Sequence, residues 1–298
     1  TRKIRIYPTK GQRHIMKNWM GTRRFIYNEG LSHIKNGHKP NFQALRNKLV
    51  TAKNNPYIPD WQLETPKDIR AEALRDLIKN HTTAFANLKR GNISKFKMSY
   101  CKKKDDPSIA IPKAAIRIKD NLLYIYGRFM KTSIKMANRD KLVSNPEYAC
   151  RLQVTNGKWF LCVPMIVKAN VPKRKRIKWC SLDPGIRVFQ TIYSETSVEQ
   201  IKIRKETITK LQITLDKFRS LRDKKVISQS RYIRKIKRLN YRLECLIDDL
   251  HHKTASRLTN TYDHIILPSF ESQDMVRKCK SKCVNRNMLQ LRHFTFEE

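Results

Sequence analysis

Acidic residues are scarce: 25 Asp and Glu stand against 64 Lys and Arg in 298 residues, a formal net charge of +39. An ordinary small-molecule enzyme has no use for that self-repulsion. The excess calls for a polyanion to neutralise it, either a nucleic acid or an anionic membrane. Long apolar runs are missing as well. None approaches the roughly 20 residues of a transmembrane helix, and the basic residues are spread along the whole chain, so no membrane partner is expected. Glycine and proline are few, 8 and 12, while 40% of the residues are hydrophobic. That balance excludes a disordered chain and allows a real core. The length suggests about two domains. Cysteine is odd in number, 7, and irregular in spacing, so no disulfide framework is read from Cys101, Cys150, Cys162, Cys180, Cys245, Cys279 and Cys283. Several sit in apolar runs such as Trp159-Phe160-Leu161-Cys162, as small hydrophobes of a reducing compartment do. Only Cys279 and Cys283 are close together, half a zinc site at most.

Ile4, Ile6 and Pro8 open the chain with a strand-like alternation and no signal peptide. Thr1 in place of Met reads as a portion of something longer. After Gly11 the spacing turns helical through Ile15, Trp19, Phe25, Ile26, Leu31 and Ile34. A polar, proline-rich stretch follows from Lys53 to Pro66, and Thr65-Pro66 reads as a helix start. The next helix carries Ile69, Ala73, Leu77, Ile78, Ala84, Phe85 and Leu88 and stops at Lys89-Arg90-Gly91. Near residue 105 the period changes. Short alternating runs around Ile109, Ile116, Leu123, Ile134, Leu152 and Phe160, with turn dipeptides Asp120-Asn121 and Asn156-Gly157, predict a small antiparallel barrel. The strand at Ile4 to Tyr7 could return to complete it.

Beyond Pro172-Lys173-Arg174-Lys175-Arg176, a linker-like run, come a buried-type strand, Ile177 to Leu182, and another, Val188 to Tyr193. Two helical patterns broken at Val226 to Ser230 predict a helical hairpin. A last strand, His264 to Leu267, precedes a polar, basic segment.

Two segments carry chemistry. In Ser181-Leu182-Asp183-Pro184-Gly185 an apolar strand ends in a carboxylate and Pro-Gly turns the chain back. Alone, such an Asp reads equally well as a turn cap. In Ile265-Ile266-Leu267-Pro268-Ser269-Phe270-Glu271 a second apolar strand runs out into a carboxylate. Two neighbouring strands would bring both acids to one sheet edge, where their repulsion needs a cation between them. Hard oxygen ligands favour Mg²⁺, and in a phosphate-binding protein this is the layout of two-metal phosphodiester hydrolysis.

SLDPGIRVFQTIY resembles the first RuvC motif of the TnpB and Fanzor proteins, and IILPSFESQDMV the second. KIRIYPTKGQRHIMKNWMGTRRFIYNEGL, TPKDIRAEALRDLIKNHTTAFANLKRGNISKFKM and IPKAAIRIKDNLLYIYGRFMK resemble their opening strand, recognition-lobe helices and wedge strands. The resemblance covers nearly the whole chain in order, and LDPGIRVFQTIYS with LPSFES is closest to the second Fanzor type of eukaryotes and giant viruses. It implies a transposon-derived, RNA-guided, Mg²⁺-dependent DNA endonuclease. The implied fold class is α+β and multidomain: a first wedge strand at 1–10, a helical recognition lobe at 11–104, an antiparallel, oligonucleotide-binding-like wedge β-barrel at 105–170, and an RNase-H-like RuvC domain at 171–298 with its helical hairpin at 204–250. Asp183 and Glu271 match the family's catalytic, metal-binding acids, with two Mg²⁺ ions as cofactors. The third acid, an Asp beyond a zinc ribbon, has no match up to Glu298, so zinc is expected only in that further part. Asp248 and Asp249 precede the second motif and do not match by order.

The implied partners are a guide RNA and target double-stranded DNA on a monomeric ribonucleoprotein. Their phosphates would meet Arg23, Arg24, Lys89, Arg90, Lys95, Lys97, Lys102, Lys103 and Lys104, and Lys173, Arg174, Lys175 and Arg176 in the linker. Tyr27, Phe96 and Tyr100 interleave with these and could stack on bases, although such aromatics are more often core. Lys173 to Arg176 also reads as a nuclear localisation signal; a prokaryotic protein would instead lie in the cytoplasm or nucleoid. Two other readings stand beside the nuclease: the same guided scaffold without cleavage, and a non-guided basic RNA-binding protein.

Overall fold

The computed structural model describes residues 1–51, 58–103, 108–137, 146–166, 178–270, 272–278 and 281–297. The chain forms two compact units, Thr1–Lys168 and Ala169–Glu298.

The first unit begins with β1 (Arg2–Tyr7) and the helices α1 (Lys10–Lys35), α2 (Phe42–Leu49), α3 (Asp60–Leu63) and α4 (Lys67–Lys89). The strands β2 (Ser108–Ile111), β3 (Ile116–Lys119), β4 (Leu122–Ile125), β5 (Ile134–Met136), β6 (Cys150–Thr155) and β7 (Lys158–Val163) follow. They form one seven-stranded sheet in the order β2-β6-β7-β1-β5-β4-β3. Every pairing is antiparallel. The sheet curls into a nearly closed barrel, because Ile4, Ile109, Ile116, Leu123, Ile134, Leu152 and Leu161, one from each strand, share a single core. Asp120 and Asn121 (φ 50° and 59°), and Asn156 and Gly157 (φ 50° and 74°), adopt the left-handed geometry that tight hairpins need.

α1 joins the barrel to the helices. Thr9 and Gln12 cap it reciprocally, Thr9 N donating to Gln12 Oε1 at 2.9 Å and Gln12 N to Thr9 Oγ1 at 3.3 Å. Gln12 Nε2 then donates to Thr132 Oγ1 (2.9 Å) and Ser133 O (2.8 Å), fastening the helix start to the loop before β5. Met16, Trp19 and Met20 enter the barrel core, whereas Ile26, Tyr27 and Leu31 pack with Leu74 and Leu77 of α4. Gly30 permits that approach: a Cβ there would lie 2.7 Å from Leu77 Cδ2 and 2.8 Å from Leu74 Cδ2. The change of element type near residue 105 therefore falls inside one compact unit. α2 is an element the apolar spacing did not announce, and α3 is a single turn inside the expected polar stretch. Burial holds the Cys150 thiol up at about 11, as suits a cysteine used as a hydrophobe.

The second unit contains β8 (Trp179–Pro184), β9 (Val188–Ser194), β10 (Val198–Lys202), α5 (Lys205–Asp223), α6 (Gln229–Thr261), β11 (His264–Ile266), α7 (Ser272–Lys278), α8 (Lys282–Leu291) and α9 (His293–Glu297). Its sheet has the order β10-β9-β8-β11. β8, β9 and β10 form an antiparallel meander, and β11 returns parallel to β8, with Ile265 beside Cys180 and Ile266 beside Ser181. Three details correct the sequence reading. β10 was not expected. α6 starts at Gln229, capped by Ser228, and runs 33 residues to Thr261. The expected polar tail holds α7, α8 and α9, with Met288 and Leu291 buried.

Among the described residues no helix is long and apolar enough to cross a membrane.

Candidate active site and nucleic-acid interface

Asp183 lies near the end of β8, an internal strand, opposite Thr191 of β9. Its neighbour Leu182 is 2% exposed, so the strand alternation turns Asp183 outward, where it is exposed. Among the described residues no hydrogen bond or ion pair occupies its carboxylate. Pro184 and Gly185 reverse the chain into β9. Gly185 is required by space, since a Cβ on it would meet Val188 O at 2.9 Å.

Glu271 lies outside the described residues. The strand that leads toward it is β11, and because β11 is parallel to β8, both chains leave the sheet at the same edge. Among the described residues no group of three or more His, Cys, Asp or Glu is placed to hold a metal. Asp183, a bare oxygen donor on an exposed strand end, has the chemistry of a ligand for a hard cation. Cys279 lies outside the described residues, as does the side chain of Cys283. Asp248 and Asp249 lie on α6, paired with Arg292 and Lys253 respectively.

The turn after Asp183 rests on residues that the motif did not reveal. His293 Nε2 donates to Gly185 O at 3.1 Å. Its ring stacks on Phe189 at 5.1 Å, and His251 stacks on Phe189 at the same separation. His251 Nε2 donates in turn to Leu291 O at 2.8 Å. Burial pushes the His293 imidazole down to about 4, and the nearby His251 lowers it further against the opposing hydrogen bond to Gly185. Burial also lowers His251. Both rings are therefore neutral at pH 7, each the tautomer that carries its proton on Nε2.

The predicted nucleic-acid contacts divide. Tyr27 is 5% exposed and accepts a hydrogen bond from Asn80 Nδ2 at 3.2 Å. It is a core residue and unavailable for stacking on a base, which corrects the expectation. Arg23 is also corrected: its guanidinium pairs with Asp76 at 2.9 Å, and Asp76 also takes Arg151 at 2.6 Å. Arg24 is half-buried on α1, and Lys89 and Arg90 are exposed at the end of α4. Residues 92–103 run without regular structure and are stapled to α1: Asn28 Nδ2 donates to Cys101 O (3.1 Å) and Cys101 N to Asn28 Oδ1 (2.8 Å). Lys95, Phe96, Lys97, Tyr100, Lys102 and Lys103 are exposed along this strip. Phe96 rests edge-on against His81 and Phe85, and Lys35 Nζ lies 4.1 Å from the Tyr100 ring centroid. Lys104, Lys173, Arg174, Lys175 and Arg176 lie outside the described residues.

A helix-turn-helix domain family, HTH_OrfB_IS605, matches residues 1–41, a span that holds β1 and all of α1 and stops one residue short of α2. A candidate transposase of Paramecium bursaria Chlorella virus 1, A625R, is 28% identical over 99% of this chain and 71% of its own length. The TnpB-like protein L79 of Acanthamoeba polyphaga mimivirus is 25% identical over 99% of this chain and 60% of its own. The chain is thus similar to TnpB-like and transposase proteins of giant viruses over nearly its whole length. It spans less than two thirds of L79 and of a second TnpB-like mimivirus protein, L770, which is also 25% identical. Two solved structures, a CRISPR-Cas12f ternary complex and a Cas12f1–sgRNA–target DNA complex, align with 96% and 99% of this chain and 70% and 81% of theirs. Their identities are 13% and 15%, with a TM-score of 0.28 for each. In this chain the two motif acids stood out as candidates. His251 and His293 did not, because each acts on a backbone carbonyl that no spacing rule points to.

Proposed function

We propose that this chain belongs to an RNA-guided DNA endonuclease of transposon origin, of the second Fanzor type. In this reading the first unit joins a helical recognition lobe to an oligonucleotide-binding-like wedge barrel, and the second is an RNase-H-like RuvC domain. The observation that carries the proposal is the exposed Asp183, without a partner among the described residues, at the end of internal strand β8, beside the parallel strand β11 that leads to Glu271.

Asp183 and Glu271 would hold Mg²⁺ between them. The chemistry supplied by bound Mg²⁺ would be activation of water and stabilisation of the leaving 3′ oxygen. The chain's own part is to present oxygen donors at a fixed edge, with the Pro184-Gly185 turn setting where Asp183 stands. The charge of +39 supplies affinity for the guide RNA and the target DNA. The strip from Lys95 to Lys103 is the described surface best suited to RNA, since it alternates exposed cations with exposed rings. The run Lys173 to Arg176 would direct the protein to the nucleus.

The test compares the whole wild-type protein with Asp183→Ala on one guided target in Mg²⁺, with EDTA as control. Cutting should vanish in the variant while RNA and target binding stay near wild type, because binding draws on many phosphate contacts and cutting on a few carboxylates. Wild-type cutting by Asp183→Ala sinks the site. A wild-type protein that binds its guided target and never cuts it establishes the binding-module reading instead.

A further inference from the structure

Two hydrogen bonds from one short stretch of chain reach the backbone beside both motif acids. His293 Nε2 donates to Gly185 O at 3.1 Å, two residues past Asp183. Glu297, one turn further along α9, accepts from the Phe270 amide through Oε1 at 2.6 Å, and Phe270 is the chain neighbour of Glu271. Neither bond belongs to a strand ladder. The geometry points to α8–α9 as a clamp in which His293 and Glu297 are positioning residues, fixing the chain leaving β8 relative to the chain leaving β11. The purpose of the clamp rests on the nuclease reading, although its geometry does not.

The clamp is itself anchored. Arg286 of α8 pairs with Asp216 of α5 at 2.6 Å, and Arg292 pairs with Asp248 of α6. Arg292 takes the left-handed conformation (φ 49°) that ends α8 and starts α9. His251 of α6 holds the Leu291 carbonyl and stacks on Phe189, the same ring that His293 covers. The helical hairpin thus holds α8–α9, and α8–α9 holds the two turns.

The physical need is plain. An aspartate on an exposed strand end keeps its side-chain rotamers, and a loop beyond a three-residue strand keeps more freedom still. Carboxylates that share a cation must stand within about 0.5 Å of their working positions. A donor on the Gly185 carbonyl removes rotation of the peptide two residues after Asp183. A carboxylate on the Phe270 amide makes a charge-assisted bond, stronger than a neutral one, just before Glu271. Supporting partners of this kind typically carry about 10- to 100-fold in metal affinity or activity.

The test uses the whole protein with its guide RNA and four variants. His293→Met and Glu297→Leu remove the hydrogen bonds while filling the space; His293→Gln and Glu297→Gln keep a donor and an acceptor, respectively. Amide hydrogen exchange of residues 184–188 and 268–271 should quicken in the first pair and stay near wild type in the second. The Mn²⁺ binding that Asp183→Ala abolishes should weaken about 10- to 100-fold in the first pair and recover in the second, and cutting at saturating target should follow. Exchange and Mn²⁺ affinity unchanged in all four variants overturn the clamp. So does a loss of folding stability common to both pairs with metal affinity intact, which marks a merely structural contact. The two ideas fail separately: Asp183→Ala cutting like wild type ends the nuclease reading, whereas an inactive Asp183→Ala beside a fully active His293→Met ends the clamp alone.

Discussion

Acid should loosen the second unit through His293 well before its carboxylates titrate. The side chain is 1% exposed, it gives its one proton to Gly185 O, and its Nδ1 is buried without a partner among the described residues. Burial pushes it down from the ordinary 6.5 to about 4. The folded state therefore refuses a proton that the unfolded chain accepts. A depressed histidine costs nothing above pH 6.5; stability falls as pH drops below that value and levels off below about 4. Each pH unit in that window is worth about 1.4 kcal/mol, so the full window is worth about 3 kcal/mol and the step from pH 6.5 to 5 about 2 kcal/mol. Against a typical total of about 5–15 kcal/mol, that is a large share.

His251, also lowered by burial, adds in the same direction, with Asp248, His252 and Arg292 around it. Asp216, lowered mainly by its hydrogen bond from Arg286, loses its contribution only below the usual carboxylate range, in a separate window. Urea unfolding of the whole wild-type chain and of His293→Gln at pH 7.5 and 5.0, at one ionic strength, isolates the effect. Wild type should lose about 2 kcal/mol more than the variant over that interval. Equal pH dependence in the two proteins refutes the reasoning, because it would mean the buried imidazole accepts its proton freely.

Two further outcomes follow from the first unit. Gly30→Ala should lower stability by about 1–3 kcal/mol through overpacking against Leu74 and Leu77, less up to about 1 kcal/mol of helix propensity. In a Leu74→Ala background the same change should become neutral or favourable in thermal unfolding, since the added methyl then enters the vacated space. Phe96→Ala should weaken RNA binding by about 1–3 kcal/mol if the ring stacks on a base, whereas Tyr27→Phe should leave RNA affinity unchanged in a filter-binding titration.

Much of the architecture was legible because burial imposes a period. Ile4 and Ile6, two apart, are both in the barrel core, and Ile208, Leu211 and Leu215 at helical spacing are all buried. The turn dipeptides could be read because few residues tolerate positive φ. What escaped has physical reasons as well. β10 exposes alternate residues at a sheet edge, so its alternation is faint. Among the described residues α8 buries Met288 and Leu291 alone, too narrow a stripe to stand out. Tyr27 and Arg23 looked like nucleic-acid contacts because sequence gives identity and not direction. The helix turned one into the core against α4 and the other onto Asp76, fifty-three residues away.

The candidate site shows the same limit in sharper form. A candidate metal-binding carboxylate stands out, since an acid at the end of an apolar strand is unusual in a chain of net charge +39, although alone it reads equally well as a turn cap. The residues that would hold it steady do not, because their partners are a carbonyl and an amide, groups every residue has. His293 lies 108 positions from Gly185, and Glu297 lies 27 from Phe270. Nothing about a lone histidine or a glutamate in a charged tail sets them apart until the fold brings both to one edge. Candidate acids can thus be found by motif, whereas the hydrogen bonds on Gly185 O and the Phe270 amide depend on the fold of the second unit. A chain that loses the segment from Arg286 to Glu297 should therefore lose the hydrogen bonds on Gly185 O and the Phe270 amide, read as faster amide exchange of residues 184–188 and 268–270.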